Sequence, residues 1–129
     1  ERSIVVDCDV IQADGGTRTA SITGGFVALS LAIKKYMNSN KSTQNPIKDY
    51  VAAISCGIVK NEVLVDLDYS EDSIAEVDAN FVITKKSGFS EVQATGEENT
   101  FQKKDLLDMM EKVELVSEKI FKVQKGALE

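Results

Sequence analysis

The chain has 129 residues, 43% of them hydrophobic and 28% charged, with a net charge of −6. Its length suits one domain with a real core, of ordinary soluble composition, and its acidic balance argues against broad electrostatic capture of nucleic acid. That balance leaves open a local basic site, or a basic surface supplied by another chain. The absence of histidine excludes Ser-His-Asp and Cys-His catalysis within the chain, and directs any metal to oxygen ligands of the kind that suit Mg²⁺ or Mn²⁺.

Taken in order, Ser3 to Ile11 is almost continuously apolar (Ile4, Val5, Val6, Cys8, Val10, Ile11), which predicts a strand covered on both faces. Asp7 and Asp9 share one side by the period of two, as functional carboxylates or as solvated ones. Cys8 here and Cys56 in a later apolar run both read as buried, reduced thiols of an intracellular, cytoplasmic protein. The chain opens on Glu1, not Met, which reads as a truncation or a processing product, and no signal peptide opens it. No apolar run approaches the roughly 20 residues of a membrane span.

Asp14-Gly15-Gly16-Thr17-Arg18-Thr19-Ala20-Ser21 follows, where the strand hands over to a helix. Such a turn collects backbone N–H groups, the positive end of a helix dipole and a guanidinium, the parts of a phosphate site. Its other reading is a tight turn with Thr17 or Thr19 as N-cap and a solvated Arg18. The helix is predicted over Thr17 to Met37, with Ile22, Phe26, Leu29, Ile33 and Met37 as its core stripe. Gly24 and Gly25 inside it mark either close approach of a neighbouring backbone or a tolerated weakness of up to about 1 kcal/mol each. Lys34 and Lys35 suit its C-terminal dipole. Asn38 to Lys48 is polar and aperiodic and holds the single proline, so it reads as a surface excursion within one domain.

From Tyr50 the pattern is β. Val51 to Lys60 and Val63 to Asp68 predict a hairpin turning at Lys60-Asn61. Val77 to Lys85 and Phe89 to Thr95 predict a second, turning at Lys86-Ser87-Gly88. A helix from Gln102 to Gln124 carries Leu106, Met109, Met110, Val113, Val116, Ile120 and Val123 on its apolar stripe, with Phe101 and Leu106 as a hydrophobic staple. Strand, helix, four strands, helix is an α/β sandwich with its helices on one sheet face.

Between the hairpins, five carboxylates fall within the eleven residues Asp68 to Asp78. Asp72 and Asp78 bracket a short turn or single helical turn that could bring two carboxylates onto one hard cation; the alternative is a solvated acidic connection. A phosphate site earlier in the chain favours the cation, which neutralises charge in phosphoryl chemistry.

Cys8 through Gly24, centred on Gly15-Gly16-Thr17-Arg18-Thr19, resembles the signature of the ribonuclease PH family, as does Leu67-Asp68-Tyr69-Ser70-Glu71-Asp72 through Ala75-Glu76-Val77-Asp78-Ala79-Asn80. Polynucleotide phosphorylase and exosome ring subunits are its relatives. The resemblance implies a ribosomal protein S5 domain 2-like α/β (α+β) fold with a mixed sheet. It implies a phosphorolytic 3′-to-5′ exoribonuclease (tRNA nucleotidyltransferase) that trims tRNA precursor 3′ ends with inorganic phosphate and releases nucleoside diphosphates. It also implies Gly16, Thr17 and Arg18 on phosphate, Asp72 and Asp78 on Mg²⁺ (or Mn²⁺), catalytic roles for Arg18, Asp72 and Asp78, and a hexamer built as a trimer of dimers. Backbone N–H groups and the Thr17 hydroxyl would hold the attacking phosphate, with Arg18 giving forked donors to its oxygens. The nucleophile is already an anion, so no histidine is required.

There are departures from the family pattern. Members are about twice as long, so residues 1–129 match the C-terminal part of the fold, without an N-terminal half that bears another phosphate-contacting arginine and much of the RNA surface. That puts activity of this chain alone in doubt, and would expose apolar sheet. Gly25 stands where Ala is more usual, and Gln102 where a Ser would cap the last helix, a loss of about 1 kcal/mol. A catalytically inactive fragment or RNA-binding ring subunit, and an unrelated phosphate-binding domain, are the alternatives.

Overall fold

A computed structural model describes residues 3–41, 44–97 and 99–129. The element order is α1 (Thr17–Ser39), β1 (Val51–Val59), β2 (Glu62–Val65), α2 (Tyr69–Asp72), β3 (Val77–Thr84), β4 (Gly88–Gly96) and α3 (Lys103–Leu128). The four strands form one sheet, ordered β2-β1-β3-β4, and every pairing is antiparallel. Both expected hairpins form. The first turns on Lys60 and Asn61, both with positive φ, the geometry a two-residue turn needs to match strand twist.

β1 is buried along nearly its whole length because it is sandwiched in two directions. Ile54, Cys56 and Ile58 pack with Ala79, Phe81, Met109 and Val113 into the main core, so α3 covers that face. Val59 meets Leu67 and Ala75 on the other. The stripe of α3 is rotated slightly from its expected line. Phe121, Ser117 and Gln124 are buried and Val123 is 72% exposed, because the helix runs on to Leu128 and its last turns lean toward α1. Its start is less weak than the missing Ser suggested: the Asp105 carboxylate accepts from the Gln102 N–H at 2.8 Å.

Helix α1 lies along the length of β1 that β2 leaves unpaired. The Ser55 carbonyl still accepts from the Asp66 N–H, but two residues earlier the ladder has ended. There the Thr23 hydroxyl accepts from the Ala53 N–H at 3.0 Å and donates to the Ala53 carbonyl at 3.2 Å, standing in for a strand partner. The Gln124 amide then donates to the carbonyls of Thr23 and Val51, at 3.1 and 2.9 Å, tying α1, β1 and α3 together.

The first expected strand is not formed. Residues 3–11 carry no regular secondary structure and are exposed, with Val5 87% and Ile11 99% accessible, and Cys8 is exposed with them. A strand requires a ladder partner, and none of the four strands pairs with this segment. The sheet, expected to be mixed, is purely antiparallel among the described residues. The segment instead runs beside α1. A Cβ on Gly25 would stand 3.2 Å from the Val6 side chain, whereas Gly24 faces open space. Close approach thus explains one glycine of the pair, and it comes from side chains rather than backbone.

Candidate functional site

The Asp14-Gly15-Gly16 turn is built by its neighbours. Gly15 presses on the backbone of the acidic connection, where a Cβ would collide with the Leu67 carbonyl oxygen. Gly16 is the N-cap of α1 with φ 73°, a conformation that glycine adopts at little cost. Neither threonine caps the helix. The Thr17 hydroxyl donates to the Asp14 carbonyl at 2.7 Å and the Thr19 hydroxyl to the Gly16 carbonyl at 2.7 Å. The first intrahelical bond runs from the Ala20 N–H to the Gly16 carbonyl, so the N–H groups of Thr17, Arg18 and Thr19 head the helix without a side-chain cap. Beneath them Ser55 Oγ is buried without a hydrogen-bond partner among the described residues, 3.0 Å from where a Gly16 Cβ would be. Free donors above an unpartnered hydroxyl suit an anion better than they suit a closed structural turn.

Arg18 is not simply solvated. Its guanidinium holds Glu91 of β4 at 2.9 and 3.0 Å. No local signal marks Glu91 in the sequence, where it lies 73 residues away. Ser55 did leave a trace, as the polar side chain within the apolar run Val51 to Val59.

The acidic connection forms the expected single helical turn, α2. Asp68 caps it, accepting from the Glu71 N–H at 2.9 Å, while Glu71 accepts from the Asp68 N–H at 3.1 Å. The Ser70 hydroxyl, then the Glu71 N–H, hold the Asp68 carboxyl below the usual carboxylate range. Asp78 on β3 moves the other way. Burial raises it first, and the charges of Asp72 and Glu97 raise it further, so Asp72 and Asp78 lie within electrostatic reach of each other. Among the described residues no group of three or more metal-ligating side chains converges. Two carboxylates fit a cation such as Mg²⁺, which keeps waters and takes further oxygens from a phosphate-bearing substrate.

Two motifs far apart in sequence are thus held side by side. Asp14 Oδ1 accepts from its neighbour Gly15 N–H and from the Tyr69 N–H at the start of α2, both at 2.8 Å. One carboxylate joins the turn carrying Thr17 and Arg18 to the loop carrying Asp72.

A sequence model of the 3′ exoribonuclease family, domain 2, matches residues 49–112. The chain is 56% identical over 111 residues to the ribonuclease PH of Exiguobacterium sibiricum, covering 86% of this chain and 44% of that protein. It is 50% identical over 129 residues to the ribonuclease PH of Bacillus cereus, covering 99% and 53%. It therefore spans about half the length of these curated relatives. Among solved structures, rice (Oryza sativa) Rrp46 superposes with a TM-score of 0.72 at 21% identity, over 92% of this chain and 50% of that one. An archaeal exosome core chain gives 0.58 at 20% identity, over 92% and 47%. These two show that the fold is shared. The sequence matches identify the chain as a member of the ribonuclease PH family, corresponding to its C-terminal half.

Proposed function

We propose that this chain supplies the phosphate and metal side of a phosphorolytic 3′-to-5′ exoribonuclease. The observation that carries the reading is the Asp14 bridge, which seats an anion turn against a carboxylate loop. The N–H groups at the head of α1, with Gly16, Thr17 and Arg18, bind inorganic phosphate and orient one oxygen toward the last phosphodiester of the RNA. That oxygen attacks the phosphorus, the bond to the upstream 3′ oxygen breaks, and a nucleoside diphosphate leaves. Asp72 and Asp78 would hold Mg²⁺ (or Mn²⁺), which when bound neutralises charge at the scissile group. Arg18 leaves Glu91 to fork onto the phosphate. The substrate proposed is the 3′ end of a tRNA precursor and the assembly proposed is a hexamer, as the resemblance to ribonuclease PH implies.

The test is phosphate-dependent release of nucleoside diphosphates from RNA, measured with the remaining half of a ribonuclease PH relative supplied. Arg18→Ala should raise the KM for phosphate roughly 30- to 150-fold, the loss of about 2–3 kcal/mol of charged hydrogen bonding. Release that is indifferent to Arg18, or that yields monophosphates without phosphate, would sink the reading. The Arg18–Glu91 pair favours one alternative, a subunit that holds RNA without turnover because its arginine is already occupied. That subunit would bind RNA with no phosphate dependence.

A further inference from the structure

At the end of the molecule away from the phosphate turn lies a cavity of about 610 Å³. Its rim carries Lys34, Lys48, Lys85, Lys86 and Lys125, five of the chain's fifteen basic residues. Its floor includes Phe26 and Tyr50, whose rings pack on each other at 5.2 Å. In a chain of net charge −6 this concentration of cations is local and one-sided.

The lysines are largely available. Among the described residues the Lys48 ammonium makes no hydrogen bond or ion pair, and Lys85 sits over the Tyr50 ring at 5.9 Å. Lys34 and Lys86 each donate to one carbonyl, of Leu128 and Lys48, leaving two of their three N–H groups. Lys125 has one loose ion pair with Glu129 at 3.6 Å. The lining carboxylate, Asp49, has its two oxygens held by the backbone N–H groups of Tyr50 and Lys86, and its single negative charge offsets only one of the five lysines. Five ammoniums against the carboxylates of Asp49 and Glu129 leave the rim net positive, which attracts a polyanion.

We propose that this rim is an exosite for the phosphodiester backbone of RNA, upstream of the 3′ end that the phosphate on Arg18 attacks. The inference rests on the RNA substrate proposed above. Asp78 and Lys85 are seven residues apart along β3 and its extension, roughly 23 Å in extended chain. Thr17 and Lys34 are about 25 Å apart along α1. Both paths put the lysines where the body of a substrate, not its last nucleotide, is held. Asn38, Asn45, Ile47 and Lys48, unexplained by the phosphate and metal motifs, gain a purpose in lining this cavity.

The experiment is anisotropy of a fluorescent oligoribonucleotide of about 16 nucleotides, titrated with the chain over a salt series. Lys48→Glu with Lys85→Glu should weaken binding roughly tenfold and flatten the log K versus log salt slope by about 1.4, or about 0.7 for each phosphate no longer neutralised. Lys103→Glu with Lys119→Glu makes the same change in net charge away from the rim and should leave affinity within about twofold. Lys48→Gln with Lys85→Gln, with circular dichroism, guards against misfolding. Equal weakening by both Glu pairs, no weakening by either, no RNA binding at all, or full competition by inorganic phosphate or ADP at the lysine pair would each overturn the exosite. The release assay fails or succeeds separately: Arg18→Ala acts on phosphate KM, whereas the lysine pair acts on RNA affinity and leaves phosphate KM unchanged.

Discussion

Burial of Cys56 between sheet and α3 pushes its thiol up to about 12 from an ordinary 9.0, because a thiolate there would lose its hydration. Cys8 is exposed and makes only a long S–H contact of 3.7 Å to the Ser21 carbonyl. A disulfide reagent at about pH 8 should therefore titrate one thiol quickly in the folded chain and two after unfolding; two fast thiols would contradict the burial of Cys56. Above pH 9 an unfolded chain releases a proton that the folded chain keeps, so folded stability falls as pH climbs from 9 toward 12. At this scale the residue types of the site were legible, since Gly16, Thr17, Arg18, Asp72 and Asp78 stand in compact motifs. Glu91 was not, because a β4 side chain meets α1 only through the fold.

Elements were legible wherever a pattern acts locally, as in both hairpins, α1 and α3. Their seams were not. Thr23 looked like one polar residue on a helix, yet it terminates the β1 ladder. Gln124 fell off the apolar stripe of α3, yet it is 2% exposed and satisfies two carbonyls. Gln124→Leu keeps the volume and strands the Val51 carbonyl, while the Thr23 carbonyl keeps its place in the α1 ladder, and the loss is partly offset by removing the unpartnered Gln124 Oε1. It should cost about 2 kcal/mol, read as a lower urea midpoint with an unchanged slope. An unmoved midpoint would show that the amide does not join the helices to the sheet.

Across the whole molecule, burial is uneven. Residues 4–11 lack a ladder, whereas Ile54 to Ile58 lie between two strands and under α3. Amide exchange should be nearly unprotected over 4–11 and limited by global opening over 54–58; protection of the early segment in the isolated chain would mean that it pairs after all. No helix among the described residues is long and apolar enough to cross a membrane.

The sequence by itself determined the chemistry on offer: oxygen and nitrogen groups without histidine, glycines where a turn must be tight, and the periodicities of two helices and two hairpins. These depend on residue type and short spacing, which act locally. The tertiary structure decided which groups meet. It brought Asp14 to Tyr69, Arg18 to Glu91 and the lysines of α1, α3, the turn after β3 and the segment before β1 to one rim, and it denied the apolar first segment its strand. A β-pattern states a capacity to pair, and pairing is realised only where another edge stands in register.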